Sequence, residues 1–391
     1  MASENTVVVR KRIWIAAGLV TASLFTLFIG HLWLKETDTM WSMVDGKSAP
    51  GMLKIELIKT LRFGQYTTAV AWSSDGRYLA TSDYYDKVVR IWDVKSWRQL
   101  HVITKKTMGA GRMLFMPDSK TLIVSSTQLG DDRSAVTLVD VPSGEIIRQV
   151  DGPNEISGPD GWAMANQPRN FDLSHDGKYL FVNHRAKQAR KAGVYVYDAK
   201  KWNIVSFIRP KWGVMALAAG PLDDQLVTSD VYGGLQIWSV SQAQMVEEFP
   251  ITSSWIKSIA VEEGGNRVIA GQAGVGRRRD QVSGKIVPYG DMDTLRLWNL
   301  KTKEKIASAT LSPQIGTVRL WREGGIVVAS GGDRRLVVYS LSDLREIAVL
   351  RKFSQECADI AFLHDGGLLA VAGDDEVLIY SIKFGGNPNG D

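Results

Sequence analysis

A short strand-like motif recurs seven times along this 391-residue chain, and no other feature constrains the fold as strongly. The first copy is VVRIWDV at residues 88–94, and the corresponding positions of successive copies are 41 to 60 residues apart, with 41 the commonest spacing. These positions are Trp92, Val139, Tyr197, Trp238, Trp298, Tyr339 and Tyr380. A repeated spacing of this length indicates a repeat architecture, in which each repeat is one supersecondary unit.

Each repeat has the pattern of four short strands. In the first repeat, AVAWS at 69–73 and YLATS at 78–82 flank an Asp75-Gly76 turn, and the motif at 88–94 is followed by QLHVIT at 99–104. Short runs of β-branched and aromatic residues between turn residues are typical of strands, and Asp-Gly favours the positive φ angles of a hairpin. The sequence therefore predicts an all-β chain after its first 50 residues or so.

The period, the turn positions and the Trp92-Asp93 dipeptide resemble the WD40 repeat family over residues 53–384. Only the first repeat ends in Trp-Asp, and the Gly-His dipeptide typical of the family is missing. The resemblance implies a seven-bladed β-propeller without the family's His-centred hydrogen-bond tetrad.

The last repeat lacks an outer strand of its own, because only nine residues follow Ile382. The segment LKIELIKTL at 53–61 alternates apolar and polar residues and precedes the first inner strand. We therefore expect residues 53–61 to complete the last blade, as WD40 propellers do, and closure of the ring would remove exposed sheet edges.

The N-terminal part of the chain predicts one transmembrane helix. Residues 13–34 carry no formal charge and would span about 33 Å as a helix, which matches a bilayer core. A cleaved signal peptide is the alternative, but the apolar run is longer than usual and no small-x-small site ends it. The basic residues Arg10, Lys11 and Arg12 then place the tail 1–12 in the cytoplasm, by the positive-inside rule.

This topology predicts an uncleaved signal anchor with the propeller across the membrane, in a bacterial periplasm rather than a eukaryotic lumen. Residues 35–52 have neither helical nor strand periodicity, so we expect a short tether there, and 385–391 form a C-terminal tail.

The net charge of +5 does not predict nucleic-acid binding. Residues 1–35 contain four basic residues and one acidic residue, which leaves 43 basic and 41 acidic residues elsewhere. That balance is too even for a surface that neutralises phosphates.

Three insertions mark the candidate functional surface: residues 151–168, 184–193 and 274–293. The first connects two repeats, and the other two lie between the second and third strands of their repeats. The family topology opens both kinds of loop on the same face, whereas random insertions would be scattered over both faces. We therefore expect a dedicated binding face.

The candidate partner-binding residues are basic or aromatic, and they belong to these insertions or to the starts of inner strands. They are Trp162, Arg169, Arg185, Lys187, Arg190, Lys191, Trp212, Trp255, Lys257, Arg277, Arg278, Arg279 and Tyr289. Aromatic residues and arginine are enriched at protein interfaces. Two alternatives remain open, namely that the loops are merely solvated or that their basic residues contact anionic lipid.

No catalytic motif accompanies the repeats, and the five histidines lack the spacing of metal ligands. The sequence predicts no cofactor, no metal and no small-molecule substrate. The leading hypothesis is a membrane-anchored scaffold that docks a protein partner or stabilises a membrane complex through the long-loop face. The alternative is a membrane-attached propeller enzyme, a hydrolase, lactonase or oxidoreductase, with Asp172, Asp230 or Asp359 as ligands at the channel mouth.

Overall fold

The computed structural model describes residues 39–44, 51–83, 88–104, 108–126, 134–151, 171–184, 193–230, 232–249, 255–274, 276–279, 286–289, 293–311, 314–363 and 366–385. All regular structure within these ranges is β-strand. Across them, there is no helix with the length and apolarity that a membrane crossing requires. The predicted anchor at 13–34 lies outside the described residues.

Seven antiparallel sheets form the blades of a propeller, as predicted. Blades 1 to 4 each contain four strands in chain order, counted from the inner strand to the outer strand. Blade 1 comprises β3 (Thr67–Trp72), β4 (Tyr78–Asp83), β5 (Val88–Asp93) and β6 (Arg98–Thr104). Blade 2 comprises β7 (Met108–Phe115), β8 (Thr121–Ser126), β9 (Ser134–Asp140) and β10 (Ile146–Asp151). Blade 3 comprises β11 (Phe171–Leu173), β12 (Tyr179–His184), β13 (Gly193–Asp198) and β14 (Ile204–Ile208). Blade 4 comprises β15 (Ala216–Ala219), β16 (Gln225–Ser229), β17 (Leu235–Ser239) and β18 (Gln244–Glu248).

The last three blades include an added hairpin and the closure of the ring. Blade 5 comprises β19 (Ile256–Val261), β20 (Arg267–Gln272), β23 (Leu295–Asn299) and β24 (Lys305–Ala309), with β21 (Gly276–Arg279) and β22 (Ile286–Tyr289) as a separate two-stranded sheet. Blade 6 comprises β25 (Ile315–Trp321), β26 (Ile326–Gly331), β27 (Arg335–Ser340) and β28 (Glu346–Lys352). Blade 7 comprises β29 (Asp359–Phe362), β30 (Leu368–Gly373), β31 (Glu376–Gly385), β2 (Gly51–Arg62) and β1 (Thr39–Val44).

The N-terminal strand β2 closes the ring, as the sequence predicted. It pairs with β31 from Met52 opposite Gly385 to Arg62 opposite Glu376. Its alternation explains the pairing, because Leu53 and Ile55 are buried in the core. The inner strand β29 of blade 7 then lies beside β3 of blade 1, so each inner strand has two neighbours.

Thr39–Val44, within the predicted tether at 35–52, form strand β1 although their sequence has no strand periodicity. β1 pairs antiparallel with β2, from Thr39 opposite Glu56 to Val44 opposite Gly51. The outer edge of β2 offers unpaired backbone N–H and C=O groups, which a neighbouring segment can bond whatever its side-chain pattern. Blade 7 is therefore five-stranded.

The core lies between blades, since each blade buries both of its faces against its neighbours. One cluster joins Val89 and Ile91 of blade 1 to Met113 and Leu122 of blade 2. The middle strands consequently have almost continuous apolar sequences, as β26 does with six buried residues. Cys357 is fully buried, in agreement with its apolar sequence context.

The same indole–hydroxyl hydrogen bond is present in two blades. The indole Nε1–H of Trp92 donates to Thr81 Oγ1 at 3.0 Å, and that of Trp238 donates to Thr228 Oγ1 at 2.9 Å. Each bond fixes a third strand to the second strand of the same blade.

The ring has two distinct faces. The connections between blades and the turns between second and third strands share one face, here called the insertion face. Backbone bonds show this proximity, since Ala273 N donates to Trp255 O and Thr67 N donates to Asp374 O, each at 2.8 Å. The turns between first and second strands and between third and outer strands share the opposite face, here called the turn face.

Candidate functional site

Six of the thirteen predicted partner-binding residues lie outside the described residues. They are Trp162, Arg169, Arg185, Lys187, Arg190 and Lys191. Their role in partner binding therefore stays a prediction.

The blade 5 insertion forms a β-hairpin rather than an irregular loop. Its strands pair from Gly276 opposite Tyr289 to Arg279 opposite Ile286, so Arg277, Arg278 and Arg279 belong to β21. The β-branched residues of KIVPY favour a strand at β22, so the sequence does contain a signal for this hairpin. The hairpin leaves blade 5 between β20 and β23, on the insertion face.

Three large aromatic side chains are exposed on the insertion face near blades 4 and 5. Trp212 and Trp255 were predicted, and they are 45% and 42% exposed. Tyr232 was missed by the sequence reasoning and is 54% exposed. Trp212 precedes the inner strand of blade 4, Trp255 precedes that of blade 5, and Tyr232 lies in the turn between β16 and β17.

Trp212 and Tyr232 form a defined ring contact, here called the aromatic pair. Their centroids are 5.1 Å apart and their planes are inclined by 82°, an edge-to-face geometry. The Lys211 ammonium lies 4.7 Å from the Trp212 centroid, within the range of a cation–π interaction. These contacts orient the exposed indole before any partner arrives.

A buried carboxylate holds the turn that presents Tyr232. Asp230 accepts hydrogen bonds from the backbone N–H groups of Tyr232 at 2.8 Å and Gly234 at 3.0 Å, and from Gln236 Nε2 at 3.0 Å. Gly233 has φ of +85°, which suits glycine. Both oxygens of Asp230, a candidate ligand in the enzyme alternative, are thus engaged in this turn. The signal for Tyr232 was an aromatic residue inside an Asp-x-x-Gly-Gly turn.

Lys257 lies in the central channel rather than beside the exposed aromatic residues. It contributes to a cavity of about 220 Å³, which inner-strand residues of blades 2 to 6 line. Its ammonium donates to the side-chain oxygen of Gln314. Lys257 therefore links blade 5 to the start of blade 6.

Two matching ion-pair relays link the inner strands of adjacent blades. In one, Arg112 of blade 2 donates to Asp172 of blade 3 at 2.9 Å, and the second oxygen of Asp172 accepts from the Ala219 N–H of blade 4 at 2.9 Å. In the other, Arg319 of blade 6 donates to Asp359 of blade 7 at 2.8 Å. The second oxygen of Asp359 accepts from a backbone N–H of blade 1 at 3.3 Å.

These relays change the interpretation of Asp172 and Asp359. Each carboxylate binds a guanidinium with one oxygen and a backbone N–H with the other, which is the bonding of a structural link between three blades. Within the described ranges, no cluster of three His, Cys, Asp or Glu side chains has metal-site geometry.

His184 is the last residue of β12. It is 5% exposed, and its Nε2 is 3.3 Å from the Tyr197 hydroxyl. Burial lowers the pKa of His184 to about 4, so the ring is neutral at physiological pH.

The comparisons with known proteins agree with this architecture. The family described as WD domain, G-beta repeat matches residues 56–93. That match runs from β2, the outer strand of blade 7, through the third strand of blade 1, so it covers one complete sequence repeat. No curated protein matches the chain. The fold is a seven-bladed β-propeller, and its first repeat is of the WD40 type.

Proposed function

We propose that this protein is a membrane-anchored scaffold that docks a protein partner through the insertion face of its propeller. The exposed aromatic pair on that face is the observation that carries the proposal. WD40 propellers commonly bind protein partners, and the match at residues 56–93 supports this class of function.

The aromatic pair has the physical properties of an interface anchor. Trp and Tyr provide large apolar areas together with a polar group, and they dominate the binding energy of many interfaces. The edge-to-face contact and the Lys211 ammonium already restrict the Trp212 ring, so binding would cost little additional side-chain entropy.

The charge around the pair favours a partner with acidic groups. Arg209 and Lys211 are both exposed in the connection that leads into blade 4. The blade 3 insertion contains four basic residues and no acidic residue between positions 185 and 191. Complementary charge would accelerate association and orient the partner.

The membrane part of the proposal rests on the sequence. The uncharged stretch at 13–34, with Arg10, Lys11 and Arg12 before it, supports a single span with the propeller on the non-cytoplasmic side. A partner within or beside a membrane complex would then meet the insertion face at the bilayer.

Co-purification of the full chain from mild detergent tests the docking proposal. The double variant Trp212→Ala, Tyr232→Ala should lose the bound protein, because removal of a central hot spot weakens binding by about 2 kcal/mol or more, roughly 30-fold. Leu222→Ala is the matched control, since Leu222 is 60% exposed on the turn face of the same blade.

The control variant should retain the partner at the wild-type level. If the intact chain emerges alone, or if the double variant and the control retain a partner equally, the insertion face is not the docking surface.

A further inference from the structure

Strand β1 brings the N-terminal part of the chain to one defined place on the ring. It pairs with β2 of blade 7 and also contacts β28 of blade 6. The proposed anchor ends at residue 34, and β1 begins at Thr39. Five residue steps span at most about 17 Å when fully extended. If residues 13–34 cross the bilayer, the rim of blades 6 and 7 lies within that distance of the hydrocarbon core.

The direction of β1 indicates which part of this rim approaches the membrane. Thr39 pairs with Glu56 and Val44 pairs with Gly51, so the chain reaches Thr39 from the side on which β2 continues toward Arg62. An anchor at residues 13–34 would therefore join β1 from the insertion-face end of β2.

The residues on that part of the rim have the chemistry of a lipid headgroup contact. Ile58 is the extra residue at a register shift of β2, and it is 46% exposed. The exposed cations Arg62, Arg351 and Lys352 lie at the ends of β2 and β28. Glu376 pairs with Arg62 at 3.6 Å and with Arg351 at 2.8 Å. Asp374 and Asp375 adjoin Glu376, so acidic residues balance these cations in number, but the Arg62 side chain is 76% exposed and Lys352 is exposed as well.

We propose that the rim of blades 6 and 7, formed by Ile58, Arg62, Arg351 and Lys352, rests on the anionic surface of the bilayer. The propeller then stands edge-on, and both its insertion face and its turn face stay open to partners. This inference rests on the membrane anchor of the proposed function. It adds an orientation and a second binding surface, whose ligand is anionic lipid.

Blade 3 provides a matched control, because it lies on the opposite side of the seven-bladed propeller from the boundary between blades 6 and 7. Ile204 of its outer strand is 40% exposed, close to the value for Ile58. Lys200 is exposed in the preceding turn and serves as the control for Lys352.

Fluorescence quenching in vesicles tests the orientation. The full chain is reconstituted into phosphatidylcholine and phosphatidylglycerol vesicles that contain a headgroup spin-labelled lipid. A fluorophore is attached at Ile58→Cys or at Ile204→Cys, and the native Cys357 does not compete because it is fully buried. We expect several-fold stronger quenching at position 58. A flexible Gly-Ser segment inserted between residues 38 and 39 should remove most of this difference, because it would no longer hold the rim near the bilayer.

Lipid charge tests the chemistry. The variant Arg62→Glu, Lys352→Glu should lose most of the quenching at position 58 in anionic vesicles, whereas Lys200→Glu should leave it unchanged. Equal quenching at positions 58 and 204, or quenching that is independent of lipid charge, would overturn the proposal. Capture of an acidic soluble protein by the same cations, without lipid quenching, would overturn it in favour of a protein ligand.

Flotation of the same vesicles separates this inference from its premise. If the full chain does not float with the vesicles, the anchor is wrong and the edge-on orientation is overturned with it. If the chain floats and the two positions are quenched equally, the anchor stands and only the orientation is overturned.

Discussion

Protonation of His184 should make the stability of the propeller dependent on pH. The ring is buried at the end of β12, next to the hydroxyl of Tyr197, and burial lowers the pKa of His184 to about 4. In the unfolded chain the pKa of a histidine is about 6.5. Between these two values, the unfolded chain binds a proton that the folded chain excludes.

The sign and size of the effect follow from this difference. Because the unfolded state binds more protons, the free energy of unfolding rises with pH through this range and falls as the pH drops below 6.5. One pKa unit corresponds to about 1.4 kcal/mol. The titration of His184 should therefore lower the free energy of unfolding by about 2 kcal/mol at pH 5 and by about 3 kcal/mol at pH 4. Above pH 7 it should leave the free energy of unfolding unchanged.

Urea unfolding of the detergent-solubilised chain, followed by tryptophan fluorescence, measures this dependence. The variant His184→Gln cannot take up a proton, so its free energy of unfolding should fall less than that of the wild type between pH 7 and pH 5. His101→Gln serves as the control, since the His101 ring is more exposed and bonds the carbonyl of Pro142 at 2.9 Å.

Equal pH dependence in the wild type and in His184→Gln would refute the reasoning, because the proton uptake would then belong to other groups. The same conclusion would follow if His101→Gln, rather than His184→Gln, removed the dependence.

Two further substitutions test the ring itself. Asp359→Ala removes the carboxylate that links three blades and deprives Arg319 of its ion pair, so we expect the free energy of unfolding in urea to fall by about 3 kcal/mol. This is the low end for a buried pair, because Arg319 retains some exposure. An unchanged unfolding midpoint would show that the relay contributes nothing. Gly366→Ala should destabilise by more than about 1 kcal/mol, since Gly366 has φ of +73° and a Cβ there would clash with the Trp321 indole. Thermal unfolding checks this, and a melting temperature equal to that of the wild type would contradict the predicted clash.

The number of blades and the closure of the ring were predictable because both depend on local patterns. Seven copies of one strand motif specify seven sheets, and the alternation of Leu53 and Ile55 in a segment without a repeat of its own matches the one missing strand. Strand β1 was not predictable, because Thr39–Val44 have no strand periodicity and pair only where β2 presents a free edge.

The residues of the candidate site also differ in how far the sequence predicts them. Trp212 and Trp255 were selected from their positions before inner strands, and the structure places both on the exposed insertion face. Tyr232 has only a weak signal in the sequence, its place inside an Asp-x-x-Gly-Gly turn, and it becomes a candidate when that turn places its ring against Trp212.

The sequence by itself determined the repeat, the strand order and the apolar stretch that predicts an anchor, because periodicity and hydrophobicity are properties of neighbouring residues. Tertiary structure decided the roles of individual charges. In the sequence, Asp172 and Asp359 are carboxylates that could serve as ligands. In the structure, each is bound by an arginine and by a backbone N–H from other blades, and these partners are 40 to 289 residues away along the chain. The partners of these two carboxylates come from neighbouring blades, and only the assembled ring brings those blades together.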